Sequence, residues 1–159
     1  MHSKIYIFGS MKKETFDSAL RSTWNLISRM YNKEASKFDS TMATGFALLS
    51  IDARGTPSTT LGPKMGMEST SLSRLLNTME ERNLIYRSQN PDDGRSILVH
   101  LTSFGKEKRD DSKGVVLHFN KIIEESLSPE KINIFFEVMN NIKEKTQNFE
   151  YFTPILKTK

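Results

Sequence analysis

The sequence predicts a mainly α-helical fold with one small β-hairpin. Over most of the chain, apolar residues recur at every third or fourth position, the period of a helix with one buried face. Only two short runs, 84–89 and 96–102, are rich in β-forming residues. The segment between them contains Pro91 and the pair Asp93-Gly94, which is typical of a hairpin turn.

The composition is that of one globular domain. The chain has 159 residues, of which 36% are hydrophobic and 26% charged. No apolar run approaches the roughly 18 residues of a membrane span, and the N-terminal apolar run is shorter than the roughly 7–15 residues of a signal peptide. We therefore expect a cytoplasmic protein without a membrane partner. Its net charge of +4 permits a polyanionic partner without requiring one.

The residue types argue against an enzyme and against a metal centre. The chain contains no cysteine, which excludes disulfides, thiol nucleophiles and cysteine-ligated metals. Its three histidines, His2, His100 and His118, are too far apart for a short metal-binding motif. The serines lie in neither a Gly-x-Ser-x-Gly elbow nor a phosphate-binding loop. We expect no metal, no cofactor and no catalytic residue.

A long first helix is predicted from Met11 to about residue 38. Its apolar stripe runs from Phe16 to Phe38 in steps of three and four. At about 25 residues, this helix is roughly twice the mean length. The stripe either packs within the domain or meets a second subunit.

Two shorter helices follow. The first has its cap in residues 39–41 and closes at Gly55, and the loop Thr56-Pro57-Ser58 separates it from a brief helix over 59–65. Pro63 lies inside that brief helix, and Gly66 ends it.

The clearest helix spans 69–83, and the predicted hairpin comes after it. The buried face of the helix is formed by Leu72, Leu75, Leu76 and Met79. Thr102-Ser103 then caps another helix, and Ser128-Pro129-Glu130 begins the last one. This order of elements is that of a winged helix-turn-helix over 41–103, flanked by helices over 11–38 and 104–149.

The outer face of the 69–83 helix suggests a nucleic-acid contact. Thr70, Ser73, Arg74 and Asn77 follow one another at helical spacing, and such side chains bind phosphates and base edges in a major groove. The alternative is an ordinary solvated face. Arg95 at the hairpin tip suits an adjacent minor groove, and Asp93 is expected either to orient its guanidinium or to pair with Arg87.

The segment 70–87, from Thr70-Ser71-Leu72 to Tyr86-Arg87, resembles the recognition helix and first wing strand of the MarR family. Asp93-Gly94-Arg95 is similar to the family's D-x-R wing, and 101–105 to its L-T-x-x-G helix start. The sequence departs from the family at three points. Asn90 stands where an acid is frequent, Asn83 replaces a frequent Gly, and Gly62-Pro63 occupies the first helix of the motif. Asparagine tolerates the left-handed backbone that glycine would supply.

The resemblance implies an obligate homodimer, formed by the flanking helices, that binds a pseudo-palindromic operator in double-stranded DNA. It implies repression that a small molecule relieves. Carried over by position, the DNA-binding residues are Ser69, Thr70, Ser71, Ser73, Arg74, Asn77, Asp93 and Arg95.

The distribution of charge limits the electrostatic part of binding. Residues 56–103 contain five cations and five anions, so their net charge is zero. Binding then depends on a few placed cations, and a modest salt dependence is expected.

A small aromatic or amphipathic effector is the expected signal, because the chain has no thiol to oxidise. A cavity between the dimerisation helices and the winged region would bias the spacing of the recognition helices. The candidate ligand-binding residues are Trp24, Tyr31, Met42, Phe46 and His118. They are alternatively plain core, and oxidation of an exposed methionine is a further alternative signal.

Two other function classes remain open from the sequence. An enzyme using His100 as a base would lose its activity on His100→Ala. A winged helix also serves as a protein-interaction adaptor without specific DNA binding, because a fold does not fix a function.

Overall fold

The computed structural model describes residues 14–91 and 93–147. Within them the chain forms six α-helices and three β-strands. In chain order these are α1 (Phe16–Ser36), α2 (Met42–Ser50), β1 (Thr56–Pro57), α3 (Ser58–Met65), α4 (Ser69–Glu81), β2 (Ile85–Gln89), β3 (Ile97–Leu101), α5 (Ser103–Glu125) and α6 (Pro129–Gln147). The chain divides into two compact units, Met1–Ser112 and Lys113–Lys159. None of the helices in the described ranges is long and apolar enough to cross a membrane.

The first helix is shorter than the sequence predicts. The start expected near Met11 lies outside the described residues, and within them α1 begins at Phe16 because Thr15 has an extended backbone. The helix ends at Ser36, two residues before the predicted end. None of its side chains is buried.

The next two helices begin on local signals, but α2 ends at Ser50 and not at the predicted Gly55, because the backbone of Ile51 is extended. The hydroxyl of Thr41 accepts a hydrogen bond of 3.1 Å from the backbone N–H of Thr44, so the predicted cap of α2 is confirmed. Gly66 ends α3 in the left-handed conformation, as predicted, with a φ of 63°. Pro63 lies inside α3 without breaking it.

The predicted hairpin is confirmed, but the sheet has a third strand. β2 and β3 pair antiparallel, with Arg87 opposite Val99. Thr56 and Pro57, predicted as a loop, form the short strand β1 on the other side of β3. Proline has no backbone N–H to donate to a neighbouring strand, and it is therefore tolerated in an edge strand such as β1.

The core of the first unit lies between α2, α3, α4 and the sheet. Its largest fully buried side chains are Leu48, Leu61, Met79, Ile85 and Val99. The predicted buried face of α4 is confirmed, with Leu75 only partly buried at its edge. The helix is thus fixed with its opposite face toward solvent.

The end of α4 is fastened to the start of α5. Asn83 adopts the left-handed conformation with a φ of 56°, as its position predicts. The Thr102 hydroxyl donates to the carbonyl of Asn83 at 2.7 Å and accepts from the N–H of Gly105 at 2.9 Å. Only glycine fits at 105, because a Cβ there would lie 1.8 Å from the carbonyl oxygen of Leu84.

The second unit contains the later part of α5 and all of α6. α6 begins as predicted, with the Ser128 hydroxyl accepting from the N–H of Lys131 at 3.4 Å and Pro129 in the first helical position. No side chain of α6 is buried. Phe135 and Phe136 pack edge to face, with ring centroids 5.3 Å apart, and both remain more than half exposed.

Candidate nucleic-acid interface

The outer face of α4 is a continuous polar surface, which we call the α4 face. All six of its predicted residues are exposed: Ser69, Thr70, Ser71, Ser73, Arg74 and Asn77. The Ser73 hydroxyl donates to the carbonyl of Ser69 at 2.9 Å, so its oxygen keeps lone pairs for an outside donor. At 1.5 Å per residue, the face is about 12 Å long, the width of a DNA major groove.

Arg87 on β2 connects the sheet to this face. Its Nη1 donates to Oε2 of Glu80 at 2.7 Å, and its Nη2 donates to Oδ1 of Asn77 at 2.9 Å. The expected pair between Arg87 and Asp93 is therefore wrong. The sequence does contain a signal for the observed contact, since Asn77 and Glu80 lie one helical turn apart on the side of α4 where β2 returns.

The hairpin tip presents Asp93 and Arg95 to solvent. Oδ1 of Asp93 accepts from the backbone N–H of Arg95 at 3.0 Å, so this carboxylate holds the backbone of the tip. The N–H of Ser96 also donates to the carbonyl of Asp93, at 2.8 Å, which tightens the turn. Asp93 thus orients Arg95 through its main chain, and not through the predicted contact with the guanidinium of Arg95 or with Arg87.

The base of the hairpin is built around His100. Its ring stacks on Tyr86 with centroids 4.9 Å apart, and its Nε2 is 2.9 Å from the Ser88 hydroxyl. On its other side, Gly55 has a φ of +90°, and a Cβ there would lie 2.4 Å from the ring. These contacts give the His100 ring a structural role in packing the base of the hairpin.

The cations that follow the wing are largely neutralised by nearby acids. Lys108 lies 2.9 Å from Asp111 and 3.2 Å from Glu107, and Arg109 lies 3.1 Å from Asp110. The hydrogen bonds that Lys108 donates, first to Asp111 and then to Glu107, raise its pKa. Arg74 and Arg95 are exposed cations of the candidate interface itself.

The candidate effector residues fall into two groups. Phe46 on α2 lies with its ring 6.4 Å from that of Trp24 and 5.7 Å from that of Tyr31, both on α1. Burial raises the pKa of Tyr31. Met42, also on α2, donates its N–H to Asn32 Oδ1 at 3.0 Å. His118 is exposed in the second unit. In the described part of the chain, no group of three or more acids and histidines is placed to hold a metal.

Together, α3, the turn at Gly66 and α4 form a helix-turn-helix, and the β2–β3 hairpin is the wing beside it. This arrangement defines the winged helix-turn-helix class. It leaves the polar face of the second helix and the arginine at the wing tip exposed. By sequence, residues 41–97 match the model of the MarR family. Proteins of this family are transcription regulators rather than enzymes.

One curated relative is the uncharacterized HTH-type transcriptional regulator YdgJ of Bacillus subtilis. It is 28% identical over 90 residues, which are 57% of this chain and 55% of the relative. The chain thus matches about half the length of the curated relatives.

Solved structures have the same fold. The S. aureus MepR–DNA complex has a TM-score of 0.76 at 18% identity and covers 82% of this chain and 98% of MepR. The PcaV regulator of Streptomyces coelicolor, solved with its natural ligand, has a TM-score of 0.72 at 17% identity, over 87% of this chain and 98% of PcaV.

Proposed function

We propose that this protein is a sequence-specific, DNA-binding transcription regulator that acts in the cytoplasm as a homodimer on a pseudo-palindromic operator. The observation that carries the proposal is the α4 face, a run of six exposed polar residues on the second helix of a MarR-family winged helix-turn-helix. α4 would enter the major groove, and Arg95 the adjacent minor groove. MepR, a protein of the same fold, has been solved on DNA.

The homodimer is supported by the apolar surfaces of α1 and α6. Neither helix has a buried side chain, yet Trp24 is 49% exposed and Phe136 is 58% exposed. Aromatic side chains left in water at helical spacing indicate an interface. A two-fold dimer would place two copies of α4 about 34–36 Å apart, one turn of DNA.

Regulation by a small aromatic or amphipathic molecule that relieves repression is part of the proposal. The rings of Trp24, Tyr31 and Phe46 lie together between α1 and α2, and aromatic side chains with a few polar groups suit such a ligand. The fold relative PcaV was solved with a ligand bound. Titrating a panel of aromatic carboxylates against the free protein and its DNA complex tests this part, and binding to neither would remove it.

The test of DNA binding is selection from a library of randomised DNA duplexes, followed by titration at several salt concentrations. We expect one enriched palindromic site and a salt slope of only a few released ions, because residues 56–103 have no net charge. Failure to enrich any sequence, even at low salt, would favour the protein-interaction adaptor.

A further inference from the structure

The amide of Asn77 is held in one orientation by the wing. Arg87 is planar, and its two terminal nitrogens reach two residues one turn apart on α4, Glu80 at 2.7 Å and Asn77 at 2.9 Å. A guanidinium only donates hydrogen bonds, so the atom of Asn77 that faces it must be the amide oxygen. The NH₂ group of Asn77 consequently points away from Arg87.

The contact also changes the hydrogen-bonding character of the amide. Its oxygen already accepts from a cation, which polarises the group and strengthens its N–H donors. The same contact makes the oxygen a weaker acceptor for a second partner. Asn77 is exposed on the α4 face, so its donor side is available to an outside molecule.

This orientation bears on base recognition. An unrestrained asparagine contacts adenine with one donor and one acceptor, at N7 and N6, whereas guanine presents two acceptors, N7 and O6. We propose that Arg87 is a positioning residue for specificity, which makes Asn77 a donor that favours guanine over adenine at one position of each half-site. The inference rests on the proposed function, because it requires α4 in the major groove.

Stability alone does not account for the arrangement. The side chains of Arg87 and Glu80 are 28% and 39% exposed, and solvent screens an ion pair at that exposure. Arg87 could satisfy this pair with one nitrogen, yet its second nitrogen is placed on a residue of the α4 face.

The experiment uses the full chain and the duplex that it selects from a randomised library. Asn77→Ala identifies the position at which base preference is lost, and we expect guanine there. Replacing this guanine with 7-deazaguanine removes only the N7 acceptor. The substitution should weaken binding of the unaltered protein by about 5- to 100-fold and leave Asn77→Ala binding unchanged.

Two variants that each remove one charge of the Arg87–Glu80 ion pair separate the positioning of Asn77 from the loss of that pair. Arg87→Met should reduce the ratio of guanine to adenine affinity at that position. Glu80→Gln, which keeps the bond from Nη2 to Asn77, should retain the ratio. Thermal melting followed by circular dichroism checks that both variants fold.

Several results would overturn the inference. These are a preferred adenine at the Asn77 position, equal weakening of all sequences by Asn77→Ala, or an unchanged base ratio in folded Arg87→Met. If Arg87→Met does not fold, an equal 7-deazaguanine penalty in the unaltered protein and Asn77→Ala decides against it. A selection that enriches no sequence instead rejects the proposed function, and this inference with it.

Discussion

The winged region and the last helix use apolar residues in opposite ways. Between Thr41 and Gly105, eleven apolar side chains are at most 7% exposed and form one core. In α6 no side chain is buried, and Phe135 and Phe136 are 53% and 58% exposed. The number of apolar residues in a helix therefore does not tell whether they stabilise its own chain.

The difference separates folding from assembly. The winged region contains the partners that its own helices need, so its fold is fixed within one chain. In the proposed homodimer, the aromatic surface of α6 gains burial from a second copy, so its contribution to stability should depend on protein concentration. Substitutions in the two regions should accordingly differ in kind as well as in size.

The largest expected effect is on assembly. Phe136→Glu places a charge on the apolar surface of α6 and should raise the dissociation constant of the dimer by about 1,000-fold or more, or about 4 kcal/mol. Asn141→Glu, on the opposite side of the same helix, is the matched control and should leave it unchanged. Sedimentation equilibrium measures both. A Phe136→Glu protein that dimerises as tightly as the parent would remove α6 from the interface.

A core substitution should be costly at every concentration. Met79 is fully buried, and Met79→Ala should lower the free energy of unfolding by about 2–5 kcal/mol. The exposed neighbour Thr78 offers a control, since Thr78→Ala should change this free energy by less than about 0.5 kcal/mol. Urea titrations at two protein concentrations tenfold apart make the comparison. If the decrease in the free energy of unfolding caused by Met79→Ala becomes larger on dilution, the stability of the winged region also depends on assembly.

Within the winged region, the tip and the helix should affect DNA binding differently. Arg95→Ala should weaken operator binding by about 1–3 kcal/mol and relax preference in the A/T-rich flanks, whereas Arg74→Ala should change preference inside the half-site. Both side chains are exposed, so the fold should be retained. Fluorescence anisotropy on operator and random duplexes distinguishes the two. Unchanged binding of both duplexes by Arg95→Ala would show that the wing does not contact DNA.

The smallest expected effect compares one glycine from each unit. At Gly66 and at Gly114, no neighbouring atom lies within 4 Å of the position that a Cβ would take. The effect of adding a side chain therefore depends only on the backbone conformation. Gly66 has a φ of +63°, and Gly66→Ala should destabilise the protein by about 1 kcal/mol. Gly114→Ala, inside α5, should stabilise it by about 0.5–1 kcal/mol. Thermal melting measures the direction of both changes. Equal shifts of the melting temperature in the two variants would contradict the assigned backbone conformations.

Local signals account for much of the fold that the sequence predicts. Ser128 and Pro129 fix the start of α6, and Asn83 ends α4 because its side chain tolerates a left-handed backbone. The strand at Thr56 could not be predicted in this way. Its two residues acquire their conformation only from pairing with β3, more than 40 positions later in the chain.

The candidate site likewise has one part that the sequence predicts and one part that it does not. Helical period predicts which residues of α4 face outward, because the apolar stripe fixes the opposite side. The partner of Arg87 was predicted incorrectly, since the choice between Asp93 and Glu80 depends on how β2 lies against α4. Side-chain pairing across elements is a tertiary property, so spacing along the sequence does not determine it.

The attachment of the hairpin base has a consequence for how proteins of this fold can diversify. Thr102 and Gly105 hold the base of the hairpin against Asn83 and Leu84, while Asp93, Gly94 and Arg95 at the tip are exposed. Evolution can therefore lengthen or shorten the tip by insertion or deletion without moving the helix that precedes it. The reach of the wing and the sequence preference of α4 are free to change separately, so a lineage can alter one while preserving the other.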